Sequence, residues 1–221
     1  MARFTRADLL AQALRTPLIP VFYHAEAAYA KEVLRACYQG GVRVYEYTNR
    51  GPHAFAIFSE LQRFVEAAYP DLLLGAGTIY TAEEAERFIA AGADFIVSPV
   101  MDAEVAAVCR HHDLAWLPGA QTLNEIYQAM KQGATLVKVF PASHLGPAYV
   151  KTLRGPLPDV PLLISGGVLP QDLPAWFRAG ASCVSIGSGL LPDEGAGGLA
   201  ARVAGLLRGI EQAREVGGEV N

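Results

Sequence analysis

The chain contains four lysines, Lys31, Lys131, Lys138 and Lys151, and only Lys138 lies inside an apolar run, Leu136–Ala142, which reads LVKVFPA. The other three fall in polar stretches of helical period and read as solvated positions. An amine taken out of water gives up part of its preference for the charged form, and a neutral amine attacks a ketone to form a Schiff base. Upstream, VYEYTNRG places Glu46, Thr48 and Arg50 at alternate positions, so one strand face carries a carboxylate, a hydroxyl and a guanidinium. A partly buried Glu is suited to moving protons, and the planar fork of Arg holds a carboxylate through two hydrogen bonds. The residues alone leave two readings of Lys138 open: a Schiff-base nucleophile, or half of a buried ion pair with Glu46.

Three glycine-rich stretches follow runs of strand character. GAGT (Gly75–Thr78) offers small residues that permit close approach of backbone or substrate, with Thr78 supplying a hydroxyl. SGGV (Ser165–Val168) and IGSG (Ile186–Gly189) come late in the chain, and backbone N–H groups in such turns bind phosphate without a basic side chain. Histidines supply a competing chemistry. His24, His53 and His144 each fall at or just after the end of an apolar run, where a metal could be collected, although none has a ligand spacing specific for one. His111 and His112 are adjacent on a helical pattern and read as a solvated helix end.

The elements that must position these groups are short, β-branched apolar runs alternating with longer segments of helical period, the pattern of βα units in a parallel sheet. Eight such runs occur: Pro17–His24, Arg43–Thr48, Leu72–Thr78, Phe95–Pro99, Ala115–Ala120, Leu136–Ala142, Pro161–Val168 and Cys183–Leu191. Thr81 and Glu84 form a capping-box signature before one helix. An α/β fold is expected, a (β/α)8 barrel in one domain spanning residues 1–221, with a short N-terminal helix over 1–16 and a C-terminal helix and fraying tail over 197–221. In GGVRVYE, AGADFIV, QGATLVK and AGASCVS a helix-ending glycine (Gly41, Gly92, Gly133, Gly180) precedes strands two, four, six and eight. Five residues beyond each glycine stand Glu46, Val97, Lys138 and Ser185. Barrel layers take side chains from alternate strands, so these four are expected to share one layer, with Glu46 facing Lys138.

Composition is that of an ordinary globular chain: 221 residues, 52% hydrophobic and 18% charged, enough for one large core. A net charge of −4, with no basic block, argues against nucleic acid as a partner. Cys37, Cys109 and Cys183 are too far apart for a metal knuckle and read as reduced core residues. The first fifteen residues, MARFTRADLLAQALR, lack an apolar stretch long enough for a signal peptide or membrane span, so a cytoplasmic protein with no membrane partner is expected.

Taken together, GGVRVYEYTNR, LLLGAGT, AGADFIVSP, LPGAQT, LVKVFPA, GPLPDVPLLISGGV and VSIGSGLL resemble, in order and spacing, the 2-dehydro-3-deoxy-phosphogluconate (KDPG) / 4-hydroxy-2-oxoglutarate (KHG) aldolase family of class I aldolases. The resemblance covers nearly the whole chain. It implies a carbon–carbon lyase with Lys138 as Schiff-base residue and Glu46 as proton shuttle. It also implies Arg50 and Thr78 against the substrate carboxylate, and Pro99, Ser165, Gly166, Gly167, Gly187 and Ser188 in the remaining substrate site. The implied substrate is a 2-keto-3-deoxy acid that yields pyruvate, with no cofactor or metal and a homotrimeric assembly. Three positions depart from the family pattern: Ser165 stands where TGG is usual, Asn49 replaces an apolar residue, and a strand-one arginine is missing from VFYHAEA, where Tyr23 and His24 stand. The rival readings are a metal-dependent sugar-phosphate epimerase using His24, His53 or His144, and a barrel that binds a phosphometabolite without chemistry.

Overall fold

The computed structural model describes residues 3–191 and 195–218. Helix α1 (Arg6–Arg15) precedes β1 (Leu18–Phe22), and the chain continues through α2 (Ala27–Gln39), β2 (Val44–Thr48), α3 (Ala54–Ala68), β3 (Leu73–Gly77), α4 (Ala82–Ala90), β4 (Phe95–Val97) and α5 (Ala103–His111). The second half runs β5 (Ala115–Leu117), β6 (Gly119–Ala120), α6 (Leu123–Lys131), β7 (Val137–Val139), α7 (Gly146–Leu153), β8 (Leu162–Ile164), α8 (Leu173–Arg178), β9 (Cys183–Ile186) and α9 (Leu199–Gly218). No described helix is long and apolar enough to cross a membrane.

All strand pairs are parallel, in the order β5-β4-β3-β2-β1-β9-β8-β7-β6. The two end strands are separated by Pro118 alone. A proline has no N–H for the ladder, so the run expected as one strand over Ala115–Ala120 is divided there, β5 pairing with β4 and β6 with β7. The Trp116 and Pro118 carbonyls still accept from the Thr135 and Lys138 N–H groups (2.9 and 2.8 Å), which closes the sheet into a barrel. Other expected runs outlast their strands. Beyond β7, a cis Phe140–Pro141 bond and a 3-10 turn carry the rest of LVKVFPA over the barrel mouth, and beyond β9 the chain turns at Gly187. Apolar character persists there because the residues line a cavity. The C-terminal helix, α9, runs through Gly218, and the end of the expected fraying tail, residues 219–221, lies outside the described residues.

Capping boxes start α1 (Thr5 with Asp8), α4 (Thr81 with Glu84) and α6 (Thr122 with Glu125). The four repeat glycines all take left-handed φ, +109°, +92°, +92° and +101° for Gly41, Gly92, Gly133 and Gly180, a conformation that side chains resist. Each stands two residues beyond the end of its helix, and its strand begins three residues later at Val44, Phe95 and Cys183 and four later at Val137.

The strand register sorts the side chains. Tyr45, Tyr47, Leu74, Ile96, Trp116, Val139, Leu162 and Val184 point outward into the apolar shell shared with the helices. Ile19, Val44, Leu73, Phe95, Leu117, Leu136, Leu163 and Cys183 fill the barrel interior, and Leu9 and Ala13 of α1 pack against them as a plug. Arg3 latches this end: its guanidinium bonds the buried Asp94 carboxylate and the Leu72 carbonyl. Desolvation raises the Asp94 pKa from its usual value, against the pull of Arg3 and of the Leu74 N–H.

Candidate active site

Above the apolar interior the inward side chains turn polar. Lys138 of β7 and Glu46 of β2 are 6% and 1% exposed, and Nζ lies 3.6 Å from Oε1 across the barrel. Glu46 and Lys138 thus share the layer expected from the glycine spacing, with Val97 of β4 and Ser185 of β9 completing it. Neither Glu46 carboxylate oxygen makes a hydrogen bond among the described residues. A buried carboxylate with no donors and one facing cation is held for what enters the site rather than by the fold around it.

Glycines make room for this pair. A Cβ at Gly77 would land on the Glu46 carboxylate, and one at Gly75 would enter the Phe95 ring. GAGT thus opens space chiefly for these two side chains. Thr78 then takes φ +64°, a left-handed conformation rarely tolerated by a β-branched residue and of order 1–3 kcal/mol in strain. Such strain persists where surrounding structure over-determines it.

The pair forms the floor of a cavity of about 870 Å³ at the C-terminal ends of the strands. Its lining includes Lys138, Glu46, Arg50, Thr78, Pro99, Ser165, Gly166, Gly167, Gly187 and Ser188. Every residue that the family resemblance implies for the aldolase site is therefore at one cavity, coming from different strands, as the C-terminal face of a barrel arranges. Arg50 is exposed at the end of β2, and its guanidinium is in no ion pair among the described residues. Gly166 and Gly167 are both left-handed, at φ +86° and +77°; a Cβ on the first would meet the Phe140 ring and on the second the Ser143 side chain. Asn49, a departure from the family pattern, donates from Nδ2 to Glu84 (3.1 Å) and ties the end of β2 to the cap of α4.

Three other parts of the lining were given no role in the substrate site from the sequence. Phe140 presents its ring 5.3 Å from Lys138 Nζ, within cation–π reach. Phe22, Tyr23 and Tyr29, with His24, form an aromatic wall in which the His24 ring lies 4.6 Å from Tyr29 and its Nδ1 accepts from the Glu26 N–H. The Tyr47 hydroxyl donates to the His24 carbonyl from behind this wall, and burial pushes its pKa up to about 12. Four aromatic or imidazole residues in VFYHAEAAY were the available signal. Ser185 is the third, considered below. His24 lines the cavity whereas His53 and His144 are exposed outside it, and no three His, Cys, Asp or Glu side chains gather as metal ligands among the described residues.

Residues 10–200 match the family model described as KDPG and KHG aldolase. The chain belongs to that family. Among its relatives, a 2-dehydro-3-deoxy-phosphogluconate aldolase of Treponema pallidum is 33% identical over 181 residues, covering 81% of this chain and 84% of the relative. A 2-dehydro-3-deoxy-6-phosphogalactonate aldolase of Escherichia coli is 36% identical over 125 residues, 56% of this chain and 61% of that one. A solved KDPG aldolase of Legionella pneumophila, with pyruvate captured as a covalent carbinolamine intermediate, superposes with TM-score 0.77 at 26% identity, covering 91% of this chain and 97% of that chain. This aldolase is therefore a single α/β barrel and a carbon–carbon lyase of class I.

Proposed function

We propose that this aldolase cleaves a 2-keto-3-deoxy sugar acid, 2-dehydro-3-deoxy-6-phosphogluconate foremost, to pyruvate and glyceraldehyde 3-phosphate through a Schiff base on Lys138. 4-Hydroxy-2-oxoglutarate, giving pyruvate and glyoxylate, is a second substrate of the same site. The observation that carries the reading is the buried Lys138–Glu46 pair, 3.6 Å apart at the floor of the cavity. The covalent pyruvate adduct of the Legionella relative supports it.

Glu46 takes a proton from Lys138, whose amine attacks the C2 ketone; loss of water leaves an iminium ion. The iminium draws electrons from the C3–C4 bond as Glu46, directly or through a water, removes the proton of the C4 hydroxyl. The aldehyde departs, the enamine is protonated at its terminal methylene carbon to give the methyl group and the iminium of pyruvate, and hydrolysis frees Lys138. Phe140 lies where its π face favours the cationic stages. None of these steps calls for a metal or organic cofactor. The substrate carboxylate lies against Arg50 and Thr78 beside Pro99. The distal phosphate sits on the turns of Gly166, Gly167, Gly187 and Ser188, next to the Ser165 hydroxyl, where successive backbone amides form an anion-binding concavity.

The test is incubation with pyruvate and borohydride followed by peptide mapping. A single reduced-pyruvate adduct on Lys138 is expected, and folded protein without an adduct would overturn the reading. Comparing cleavage of the gluconate and galactonate phosphates and of 4-hydroxy-2-oxoglutarate then ranks the substrates.

A homotrimer is part of the same proposal. Leu123, Tyr127 and Met130 make an exposed apolar stripe on α6, 43%, 49% and 39% exposed, a surface that a subunit contact would cover. Sedimentation equilibrium should return three times the chain mass of 23.6 kDa. A reducing cytoplasm suits Cys37, Cys109 and Cys183, all unpaired and buried.

A further inference from the structure

Ser185 is 2% exposed, lines the cavity, and its Oγ has no hydrogen-bond partner among the described residues. Its place in the barrel gives that hydroxyl a direction. Following the pairings around the sheet, Ser185 stands opposite Ile19 of β1, and Val21, the next inward residue of β1, stands opposite Glu46. On the other side Lys138 stands opposite Leu163 of β8, which stands opposite Cys183, the inward residue below Ser185. In a staggered barrel layer built from alternate strands, Ser185 and Val97 therefore occupy the two gaps between Lys138 and Glu46. One flank of the ion pair is apolar and the other carries a hydroxyl. One layer down, the same strand presents Cys183 to the apolar interior, so packing alone places no demand for a polar atom at Ser185.

We infer that Ser185 is a further catalytic residue, whose hydroxyl holds the C2 oxygen of the keto acid beside Lys138 and Glu46 while the carbinolamine forms and loses water. This rests on the Schiff-base reading of Lys138. As the amine nitrogen bonds to C2, the carbonyl π pair moves to oxygen, and the Ser185 hydroxyl donates to that oxygen as charge builds. The oxygen takes up the proton shed by the new C–N centre. Glu46 then delivers the proton it took from Lys138, the C–O bond breaks, water leaves, and the nitrogen lone pair completes the iminium. The balance is one ammonium and one ketone giving one iminium and one water. Burial makes a hydrogen bond to a developing oxyanion worth more than one in water, and a buried hydroxyl that lines the cavity without a partner is free to donate to what enters.

The prediction separates rate from endpoint, because the iminium no longer contains the C2 oxygen. Wild type and Ser185→Ala are mixed with saturating pyruvate and quenched with a brief borohydride pulse after increasing times. Release of ¹⁸O from labelled pyruvate is followed in parallel. Ser185→Ala should approach the same final labelling of Lys138 about tenfold more slowly and lose ¹⁸O more slowly by the same factor. Its melting temperature should not fall, since the hydroxyl removed has no partner in the fold. An unchanged approach rate would overturn the assignment of Ser185. So would a lowered endpoint or melting temperature with normal kinetics, which would mark a packing role. Absence of labelling in the wild type would instead overturn the Schiff-base reading itself.

Discussion

Glu46 and Lys138 hold each other in place at a depth where neither belongs alone. Removing one partner of a buried pair strands the other's charge, which typically costs about 3–5 kcal/mol, whereas replacing both is far milder. Lys138→Met should thus abolish cleavage and also lower unfolding stability by about 3 kcal/mol in a denaturant titration. Adding Glu46→Gln to it should recover most of that loss without restoring any turnover. Equal stability of Lys138→Met and wild type would mean that the pair is not energetically coupled. The pair was legible from the amino-acid order because a lone lysine in LVKVFPA and a glutamate at the same glycine-to-strand spacing left little choice of layer. Phe140 was not legible in this way, since an aromatic residue in an apolar run reads as core until the chain is seen to leave the sheet there. Ser185 was placed in the layer, but the absence of any partner for its hydroxyl is a property of the packed barrel.

Between residue and barrel stand the strands and turns, where space is allotted. Gly77 is the clearest case: in β3 it faces the carboxylate of Glu46 on β2, two elements whose register is fixed by Glu46 opposite Gly75 and Thr48 opposite Gly77. Gly77→Ala should leave the helices and most of the sheet intact, cost about 1–3 kcal/mol from overpacking, and lower kcat at least tenfold by displacing Glu46. Circular dichroism with steady-state kinetics checks both halves; normal kcat with Ala in place would show that Glu46 tolerates displacement. Turn glycines were readable as the helix ends they are. The division of the fifth strand was less so, because its residues are as apolar as those of an unbroken strand and only Pro118, lacking an N–H, marks the gap.

Over the whole molecule, the barrel separates stability from chemistry. Its lower interior is closed by α1, with Leu9 and Ala13 wholly buried, while every site candidate lies at the opposite mouth. Leu9→Ala should lower stability by about 3 kcal/mol by opening a cavity in the plug, and kcat measured well below the melting point should stay within a factor of two. A large fall in kcat at full folding would mean that the plug reaches the site through the apolar layer. The eightfold alternation of short strand and amphipathic helix made this architecture readable, since few folds satisfy it. The depth of each layer was not readable from any one unit, because it depends on how strands stagger around a closed ring.

The sheet order has one more consequence. β2 to β5 and β6 to β9 form two arcs that share β1 and meet again only across Pro118. Glu46, Arg50 and Thr78 belong to the first arc, whereas Lys138, Ser165 and Ser185 belong to the second. A nick at the exposed turn of His112 and Asp113 would thus divide the site between two pieces, one carrying the proposed acid–base and carboxylate-binding groups and the other the proposed nucleophile. Each fragment should be inert, and aldol cleavage on mixing should report reunion of the halves. The barrel is in this sense an assembly device, and its reaction records whether the ring is whole.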